Sequence, residues 1–194
     1  MYEYIKGKLV ERTPAYAVIE SNGIGYFLNI SVQTYSRLKE DEPCKLYTHL
    51  VVKEDDLSLF GFADLEEREL FRLLISVSGV GVNTARVILS SLTSIEVTQA
   101  IVTGNAPMLQ RIKGIGSKTA QRIIIDLKDK LSKELIPQEK VGLVHNTNRD
   151  EALSGLITLG FQKMAAAKAL DKVIENNGLS LPVEELIRNA LKIL

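Results

Sequence analysis

Two segments of the chain, 35 residues apart, share one pattern of glycine and apolar residues. The first is LISVSGVGVNTARVI (residues 74–88) and the second is LQRIKGIGSKTAQRI (residues 109–123). In both, two glycines separated by one apolar residue stand between stretches of helical periodicity. Because glycine adopts the positive φ angles that a tight reversal needs, the repeat predicts two helical hairpins closed by the same kind of turn. The matching positions are Gly79 and Gly114, Gly81 and Gly116, Thr84 and Thr119, Ala85 and Ala120, and Ile88 and Ile123.

A turn of this kind predicts a site for phosphate. The helix that follows it begins with unpaired backbone amides at the positive end of its dipole, and the glycines leave those amides uncovered. Such a site binds a phosphate of a nucleic-acid backbone without reading a base. Since Asn83 stands where the second repeat has Lys118, we expect the first turn to bind either more weakly, through its amides alone, or through Arg86. The predicted binding residues are Gly79, Gly81, Asn83 and Arg86 in the first repeat, and Gly114, Gly116, Ser117, Lys118 and Arg122 in the second.

The segment GIGSKT (residues 114–119) also has the composition of a nucleotide-binding P-loop. That motif is G-x-x-x-x-G-K-[ST], with the lysine directly after the second glycine. Here Ser117 separates Gly116 from Lys118, and Ile112 occupies the position of the first glycine. The sequence therefore argues against a P-loop, and the energy for any ATP-driven step is expected to come from a partner. A pair of purely structural turns is the alternative to binding of a DNA backbone.

The distribution of charge favours a nucleic-acid partner. The chain carries 24 Lys and Arg residues against 24 Asp and Glu residues, so its net charge is zero. Residues 104–133, however, contain seven basic side chains and two acidic ones. This local excess of positive charge around the second repeat predicts an electropositive surface there, with the compensating acids elsewhere.

Residues 1–62 have the alternating pattern of short β-strands. The predicted strands lie in YIKGKLV, AYAVIE, GYFLNI, CKLYTHLVV and LSLFGF, and Asn22-Gly23 predicts a tight turn. The polar segment VQTYSRLKE predicts a short helix between the third and fourth strands. Five or six short strands with one interrupting helix favour a small closed barrel of the OB type, and a small sandwich is the competing architecture.

Three consecutive acids, Glu54, Asp55 and Asp56, lie between the last two predicted strands. Acids are common in exposed turns, so the cluster has an ordinary explanation. Beside a DNA-binding surface, however, carboxylates repel phosphates and direct strands away from themselves. Adjacent acids on one turn do not converge on one centre, so we predict no metal site there.

The periodicity becomes helical at residue 63. Asp64 and Glu67 match a capping box (D-x-x-E) at the start of the first helix. The helical pattern continues to residue 134 and predicts a central all-α domain over residues 63–134. Residues 135–149 contain Pro137, Gly142 and HNTNR, which predict a flexible linker. Residues 150–194 predict a module of three helices around a small core.

The remaining residue types exclude several classes of site. Cys44 is the only cysteine, so the chain cannot form an internal disulfide or a zinc or iron–sulfur centre held by its own thiolates. His49 and His145 match no metal-binding or catalytic pattern. We therefore predict no catalytic residue, no metal and no cofactor. The charged N-terminal residues and the absence of a long apolar run predict a cytoplasmic protein without a membrane partner.

The chain as a whole resembles the RuvA family, the Holliday-junction-binding subunits of bacterial branch-migration complexes. The resemblance covers essentially all 194 residues and is carried by GIGYFLNI, THLVVKEDDLSLFGF, SGVGVNTARVIL, KGIGSKTAQRIIIDLKDKL and GLITLGF. The VVKED…LFGF hairpin is more specific to the family than the glycine turns. The resemblance implies a multidomain α+β chain: an N-terminal OB-fold β-barrel, a central tandem helix-hairpin-helix domain and a C-terminal three-helix, UBA-like module.

The resemblance also implies a function. The chain is expected to bind four-way (Holliday) junction DNA and hold it open for branch migration in recombination and DNA repair. Four copies are expected to form a homotetramer, able to pair as an octamer, with Glu54, Asp55 and Asp56 as an acidic pin at the centre. Residues 150–194 are expected to contact a RuvB-type hexameric ATPase, and a RuvC-type resolvase is a further expected partner. Because helix-hairpin-helix glycosylases and nucleases use similar turns, a DNA-repair enzyme of that kind is the alternative.

Overall fold

The structure, a computed structural model, describes residues 2–39, 43–135, 145–177 and 181–194. The chain divides into two compact units, residues 1–136 and residues 137–194. No single helix within the described residues is both long and apolar enough to cross a membrane.

The first unit begins with five strands that close into a barrel. The strand order around the barrel is β1-β2-β3-β5-β4, and every pair is antiparallel except the parallel pair β3–β5. Closure confirms the predicted OB-type barrel over the competing sandwich. Asn22 and Gly23 both have positive φ, as the tight turn between β2 and β3 requires. The elements are β1 (Tyr4–Arg12), β2 (Tyr16–Ser21), β3 (Ile24–Asn29), α1 (Val32–Arg37), β4 (Pro43–Val52) and β5 (Leu57–Phe62).

Five helices follow in the described part of the first unit. Their shared core is apolar and continuous with the end of the barrel, because the ring of the buried Phe71 lies 5.1 Å from that of Phe60 and 4.9 Å from that of Phe62. The barrel and the helices are therefore packed as one body, although their sequence patterns differ. The helices are α2 (Leu65–Ile75), α3 (Val82–Ser91), α4 (Ser94–Val102), α5 (Ala106–Gln110) and α6 (Ser117–Leu135).

The start of α2 corrects the predicted capping box. The Asp64 carboxylate does accept a hydrogen bond from the amide of Glu67, at 2.7 Å, as the motif requires. The buried Glu67 carboxylate, however, accepts hydrogen bonds from the hydroxyls of Ser31 and Thr34, the latter at 2.7 Å. It therefore links α2 to the residues that begin α1 in the barrel. Burial raises the pKa of Glu67, and the two hydroxyl hydrogen bonds oppose that rise.

A second contact on α2 also reaches the barrel. The buried Arg68 guanidinium pairs with the Glu3 carboxylate at 2.6 Å and donates to the Glu3 carbonyl at 3.1 Å. Two consecutive residues of α2 thus bind two separate segments of the barrel domain: Glu67 binds the start of α1, and Arg68 binds Glu3 before β1. These contacts position the first helical hairpin against the barrel.

The described part of the second unit forms three helices around one small core. They are α7 (His145–Thr158), α8 (Lys163–Asn177) and α9 (Val183–Ala190). Gly160, with φ of +97°, ends the turn after α7. The buried core residues are Ala152, Leu156, Ala166, Ala169, Leu170, Val173, Leu186 and Ala190.

The start of α7 corrects the predicted linker. Residues 145–149 were predicted within it, but they form the first turns of α7. Long-range contacts explain the earlier start, since the side-chain amide of Asn148 donates to the carbonyl of Leu181 at 3.2 Å and the Arg149 guanidinium donates to the Asp171 carboxylate at 2.6 Å. Leu135, also predicted in the linker, is the last residue of α6. The rest of the predicted linker, residues 136–144, lies outside the described residues.

Candidate nucleic-acid interface

The first glycine turn joins α2 to α3. Within this turn, the amide of Val80 donates to the carbonyl of Val77 at 3.0 Å, and the amide of Ala85 donates to the carbonyl of Gly81 at 2.9 Å. Gly79 has φ of +90°, which an L side chain rarely adopts. Because Val77, Val80 and Ala85 are buried, the glycines are held at the surface.

The second glycine turn, between α5 and α6, repeats this geometry. The amide of Ile115 donates to the carbonyl of Ile112 at 3.1 Å, and the amide of Ala120 donates to the carbonyl of Gly116 at 2.9 Å. Gly114 has the same φ of +90°. The predicted duplication is therefore a duplication of backbone structure as well as of sequence.

All four turn glycines face open space. A Cβ atom added at Gly79, Gly81, Gly114 or Gly116 would have no atom within 4 Å beyond its chain neighbours. Backbone conformation explains Gly79 and Gly114, which need positive φ. It does not explain the other two, since Gly81 has φ of −82° and Gly116 also lies outside the left-handed region. Within the part of the chain that the structure describes, neither packing nor φ requires glycine at positions 81 and 116.

The helices after the turns begin with uncovered amides. Gly81 is the N-cap of α3, and as a glycine it has no side chain to accept a hydrogen bond from the first turn of that helix. Ser117, the first residue of α6, is exposed, as is Gly116 before it. These helix starts present N–H groups and the positive dipole end outward, as an anion site needs.

The basic residues of the two hairpins have different surroundings. Lys118 is exposed beside the second turn, and its counterpart beside the first is the exposed Asn83. Arg86 is half-buried, and its guanidinium donates to the carbonyl of Ala15 at 3.2 Å and to Asn29 Oδ1 at 3.0 Å. Of the two expectations for the first turn, this geometry favours binding through the amides, because Arg86 holds α3 against the barrel.

Arg122 connects the two hairpins. This exposed residue of α6 donates to the carbonyl of Ser78 at 3.2 Å and to its hydroxyl at 3.3 Å. Since Ser78 directly precedes Gly79, a cation of the second hairpin lies beside the first glycine turn. The fold thus places the two turns on one surface, with Lys118 and Arg122 among the exposed cations there.

The three acids lie at the exposed tip of the β4–β5 hairpin. The amide of Lys53 donates to the carbonyl of Asp56 at 2.8 Å and closes the turn. The Asp56 carboxylate also accepts a hydrogen bond from Ser58, which fixes it to β5. Glu54 and Asp55 form the outermost part of the turn and are exposed. Within the described residues, no cluster of three or more His, Cys, Asp and Glu side chains could hold a metal ion.

His49 packs into the join between barrel and helices. Its ring lies 5.6 Å from that of Phe71, and burial lowers its pKa, with a further lowering from Arg72 and Arg68. This geometry gives His49 a packing role. The side chain of His145 lies outside the described residues.

Known protein families match all three parts of the chain: the barrel, the central helices and the C-terminal helices. Three family models match: RuvA N terminal domain over residues 1–61, SAM-like Helix-hairpin-helix tandem over residues 71–129, and RuvA, C-terminal domain over residues 147–194. The chain is also 51% identical over 192 residues to the Holliday junction branch migration complex subunit RuvA of Christiangramia forsetii, with 99% of each chain covered. The chain belongs to the RuvA family.

Other RuvA proteins match over the same extent. Identity is 46% over 197 residues with the RuvA subunit of Cytophaga hutchinsonii and 49% over 193 residues with that of Flavobacterium psychrophilum, each with 99% of both chains covered. The central helix-hairpin-helix match contains both glycine turns, and the RuvA N-terminal match contains the acidic turn. Three matches in this order favour a RuvA protein over the glycosylase or nuclease alternative.

Two features, one at the glycine turns and one on the β4–β5 hairpin, were not predicted from the sequence. Ser78 has no unusual pattern, and its contact with Arg122 joins residues 44 positions apart. The second is a pair of exposed apolar residues, Val52 and Leu57, on either side of the acidic turn. The strand alternation in CKLYTHLVV could have indicated it, since alternate residues from Leu46 continue to Val52.

Proposed function

We propose that this chain binds four-way junction DNA as the DNA-binding subunit of a branch migration complex that acts in recombination and repair. The names of its full-length RuvA relatives support this proposal. The observation that carries it is the open space at Gly81 and Gly116. Because neither packing nor φ within the described residues accounts for glycine there, the open space supports close approach of another molecule to the backbone.

A phosphate group has the chemistry that fits these positions. The amides at the starts of α3 and α6 donate hydrogen bonds to an anion, and the absence of a Cβ allows its oxygens to reach them. Lys118 adds fixed positive charge beside the second turn, and Arg122, a residue of the second hairpin, adds positive charge beside the first. Since these contacts reach only the sugar–phosphate backbone, they hold a DNA arm without selecting its sequence. The first turn contributes Gly79, Gly81 and Asn83, and the second contributes Gly114, Gly116, Ser117, Lys118 and Arg122.

The acidic turn supplies specificity for a junction. Glu54 and Asp55 repel phosphates, so DNA strands bound at the glycine turns are directed away from this tip. At a crossover, such repulsion keeps the four arms apart and opposes re-pairing in the wrong register. We expect Glu54→Gln with Asp55→Asn to leave junction affinity unchanged or raise it, while migration through the crossover changes. A sharp loss of affinity, measured by fluorescence anisotropy, would show that the acids are not a repulsive device.

Assembly and partners complete the proposal. Four copies form a homotetramer with the acidic turns at its centre, and two tetramers are able to enclose one junction as an octamer. The C-terminal helices contact a RuvB-type hexameric ATPase, which supplies the energy because GIGSKT is not a P-loop. A RuvC-type resolvase is a further partner, and the cytoplasm is the compartment where the complex meets DNA.

The functional division of the chain is part of the same proposal. Residues 1–62 carry the acidic turn, and residues 63–134 carry the two phosphate sites. Residues 150–194 form the C-terminal module, and the start of α7 at His145 supports extending it to that residue.

The deciding experiment compares a four-way junction with linear duplex of equal length over a range of salt concentrations. We expect binding to the junction to be at least about tenfold tighter and binding to both DNAs to weaken with salt, because phosphate contacts release counterions. A native mass measurement on the same samples gives the number of copies. Equal affinity for both DNAs would contradict junction specificity, and base release or strand cleavage on a lesion-bearing duplex would favour the enzyme alternative.

A further inference from the structure

The β4–β5 hairpin carries an apolar pair immediately below its acidic tip. Val52 and Leu57 are cross-strand partners, the last pair before the turn. The two residues are 69% and 70% exposed, respectively. Partners directly opposite in an antiparallel pair lie close enough to form one continuous apolar surface. We call Val52 and Leu57 the apolar pair.

The apolar pair continues the inward face of the barrel beyond the barrel's end. Side chains alternate along a strand, so Val52 shares its face with Leu50 and Thr48. Thr48 is fully buried, and a Cβ at its partner Gly61 would touch core residues of the barrel. The same face is therefore the core in one part of the hairpin and solvent-exposed in the other. The described part of the barrel leaves both residues of the apolar pair exposed.

The neighbouring charges determine what can cover this surface. Glu54, Asp55 and Asp56 lie within four residues of both members of the apolar pair. The three carboxylates outnumber the one neighbouring cation, Lys53, and repel phosphates, so a DNA backbone is disfavoured on the pair. The uncharged surface that DNA offers is the face of a base, which is accessible only where base pairs are open. An open base pair is expected at a crossover, and the acidic turn is the element proposed to lie there.

We propose that the apolar pair is a platform for a base that is unpaired at the crossover. The acids keep the phosphates apart, and Val52 and Leu57 cover the face of the base that loses its stacking partner. This lowers the cost of holding a base pair open while strands exchange partners. The inference rests on the proposed function, because it requires the acidic turn to lie at a junction.

The test uses a four-way junction with 2-aminopurine at the crossover, since the fluorescence of this base rises when it loses stacking with its neighbours. Wild-type protein is expected to raise the signal on binding. In the Val52→Thr and Leu57→Thr double variant, the rise is expected to be roughly threefold smaller, because threonine offers a less apolar surface to the base. Affinity for linear duplex is expected to stay within about twofold of wild type, since the phosphate sites are unchanged.

A matched control distinguishes an effect of the apolar pair itself from an effect of making any exposed part of the barrel less apolar. Val10 and Ile24 are 55% and 57% exposed on other strands of the barrel, and Val10→Thr with Ile24→Thr is expected to leave the signal unchanged. The single Leu57→Thr variant, with a thermal melt, provides a second measurement if the double variant is poorly folded. It is expected to lower the signal by a smaller factor than the double variant.

Three outcomes would overturn the inference. One is an undiminished fluorescence rise in the folded double and single variants. Another is a lower native mass in the double variant, which would show that the apolar pairs pack against other copies of the chain. The third is the absence of a fluorescence rise with wild-type protein that binds the junction tightly. A wild-type protein with no preference for the junction would instead overturn the proposed function and, with it, this inference.

Discussion

The two glycine turns share a backbone but differ in what surrounds them. Both have φ of +90° at the first glycine and the same hydrogen bond from a buried alanine amide to the second glycine. The first hairpin is tied to the barrel by Arg86, whose guanidinium binds Ala15 and Asn29. The second carries exposed cations, and Arg122 reaches across to the first turn. The backbone thus repeats the proposed phosphate site, whereas the side chains anchor the first hairpin to the barrel and add positive charge to the second.

The largest expected effect tests whether the two backbones are equivalent. Gly81→Val and Gly116→Val are each expected to weaken binding to junction and duplex by at least about tenfold, because a hydrogen bond to a charged group contributes roughly 1.5–3 kcal/mol. Anisotropy titrations with the two variants measure this. Equal losses would support equivalent sites, and a loss confined to one variant would show that only one turn binds phosphate.

Stability controls accompany these two variants. Each is expected to lose less than about 1 kcal/mol of unfolding free energy, since only an N-cap preference changes. Gly25→Ala on the barrel serves as a matched glycine outside the turns, where a Cβ would make an ordinary contact with Val18. If Gly25→Ala lowered DNA affinity as much as the turn variants do, the loss of affinity in the turn variants could not be attributed to filling the open space at the turns.

The second prediction concerns the charge difference between the hairpins. Lys118→Asn is expected to reduce the slope of log affinity against log salt by about 1, and Asn83→Lys to increase it by a similar amount, because each phosphate contact releases about one counterion. Lys130→Asn removes the same charge from an exposed position farther along α6 and is expected to change the slope less. An unchanged slope in Lys118→Asn would place this lysine outside the interface.

The third prediction separates anchoring from binding. Arg86→Ala is expected to lower the free energy of unfolding by about 1–2 kcal/mol, because it removes two hydrogen bonds to the barrel, and to leave the salt slope unchanged. Arg122→Ala is expected to make the salt slope shallower and to cost less stability than Arg86→Ala, because the hydrogen bonds of Arg122 to Ser78 are exposed. Urea denaturation and salt titration of the same samples measure both quantities. A shallower salt slope in Arg86→Ala would show that Arg86 contacts phosphate after all.

The smallest expected effect concerns the link from α2 to the barrel. Burial raises the pKa of Glu67, so the folded state retains a proton that the unfolded chain releases at lower pH. The stability contributed by Glu67 is therefore complete below the ordinary pKa of glutamate and is lost as pH rises through the raised value. Relative to Glu67→Gln, the wild type is expected to lose unfolding free energy as pH increases over this window.

The exposed Glu66→Gln variant is the control for Glu67. Its unfolding free energy is expected to follow that of the wild type at every pH, because the replaced carboxylate is not buried. Denaturation curves measured from acidic to neutral pH provide the comparison. A constant difference between wild type and Glu67→Gln would show that the Ser31 and Thr34 hydrogen bonds compensate fully for burial.

Local patterns made much of the fold predictable. Strand alternation indicated the barrel, and the spacing of Gly79 and Gly81 indicated a turn that occurs twice. These predictions succeed because alternation and positive φ are properties of short stretches of chain. The predicted linker was partly wrong, because α7 begins earlier through contacts of Asn148 and Arg149 with residues that a local pattern does not show.

The sequence by itself determined the duplicated glycine turns, the acidic turn and the local excess of positive charge. Tertiary structure alone decided which cations are exposed, since the partners of Arg86 lie 71 and 57 residues away. It also decided that Glu67 binds α1 and that the apolar pair extends past the barrel. The physical reason is that conformation within a turn depends on neighbouring residues, whereas the partner of a long side chain depends on which distant segments pack against it.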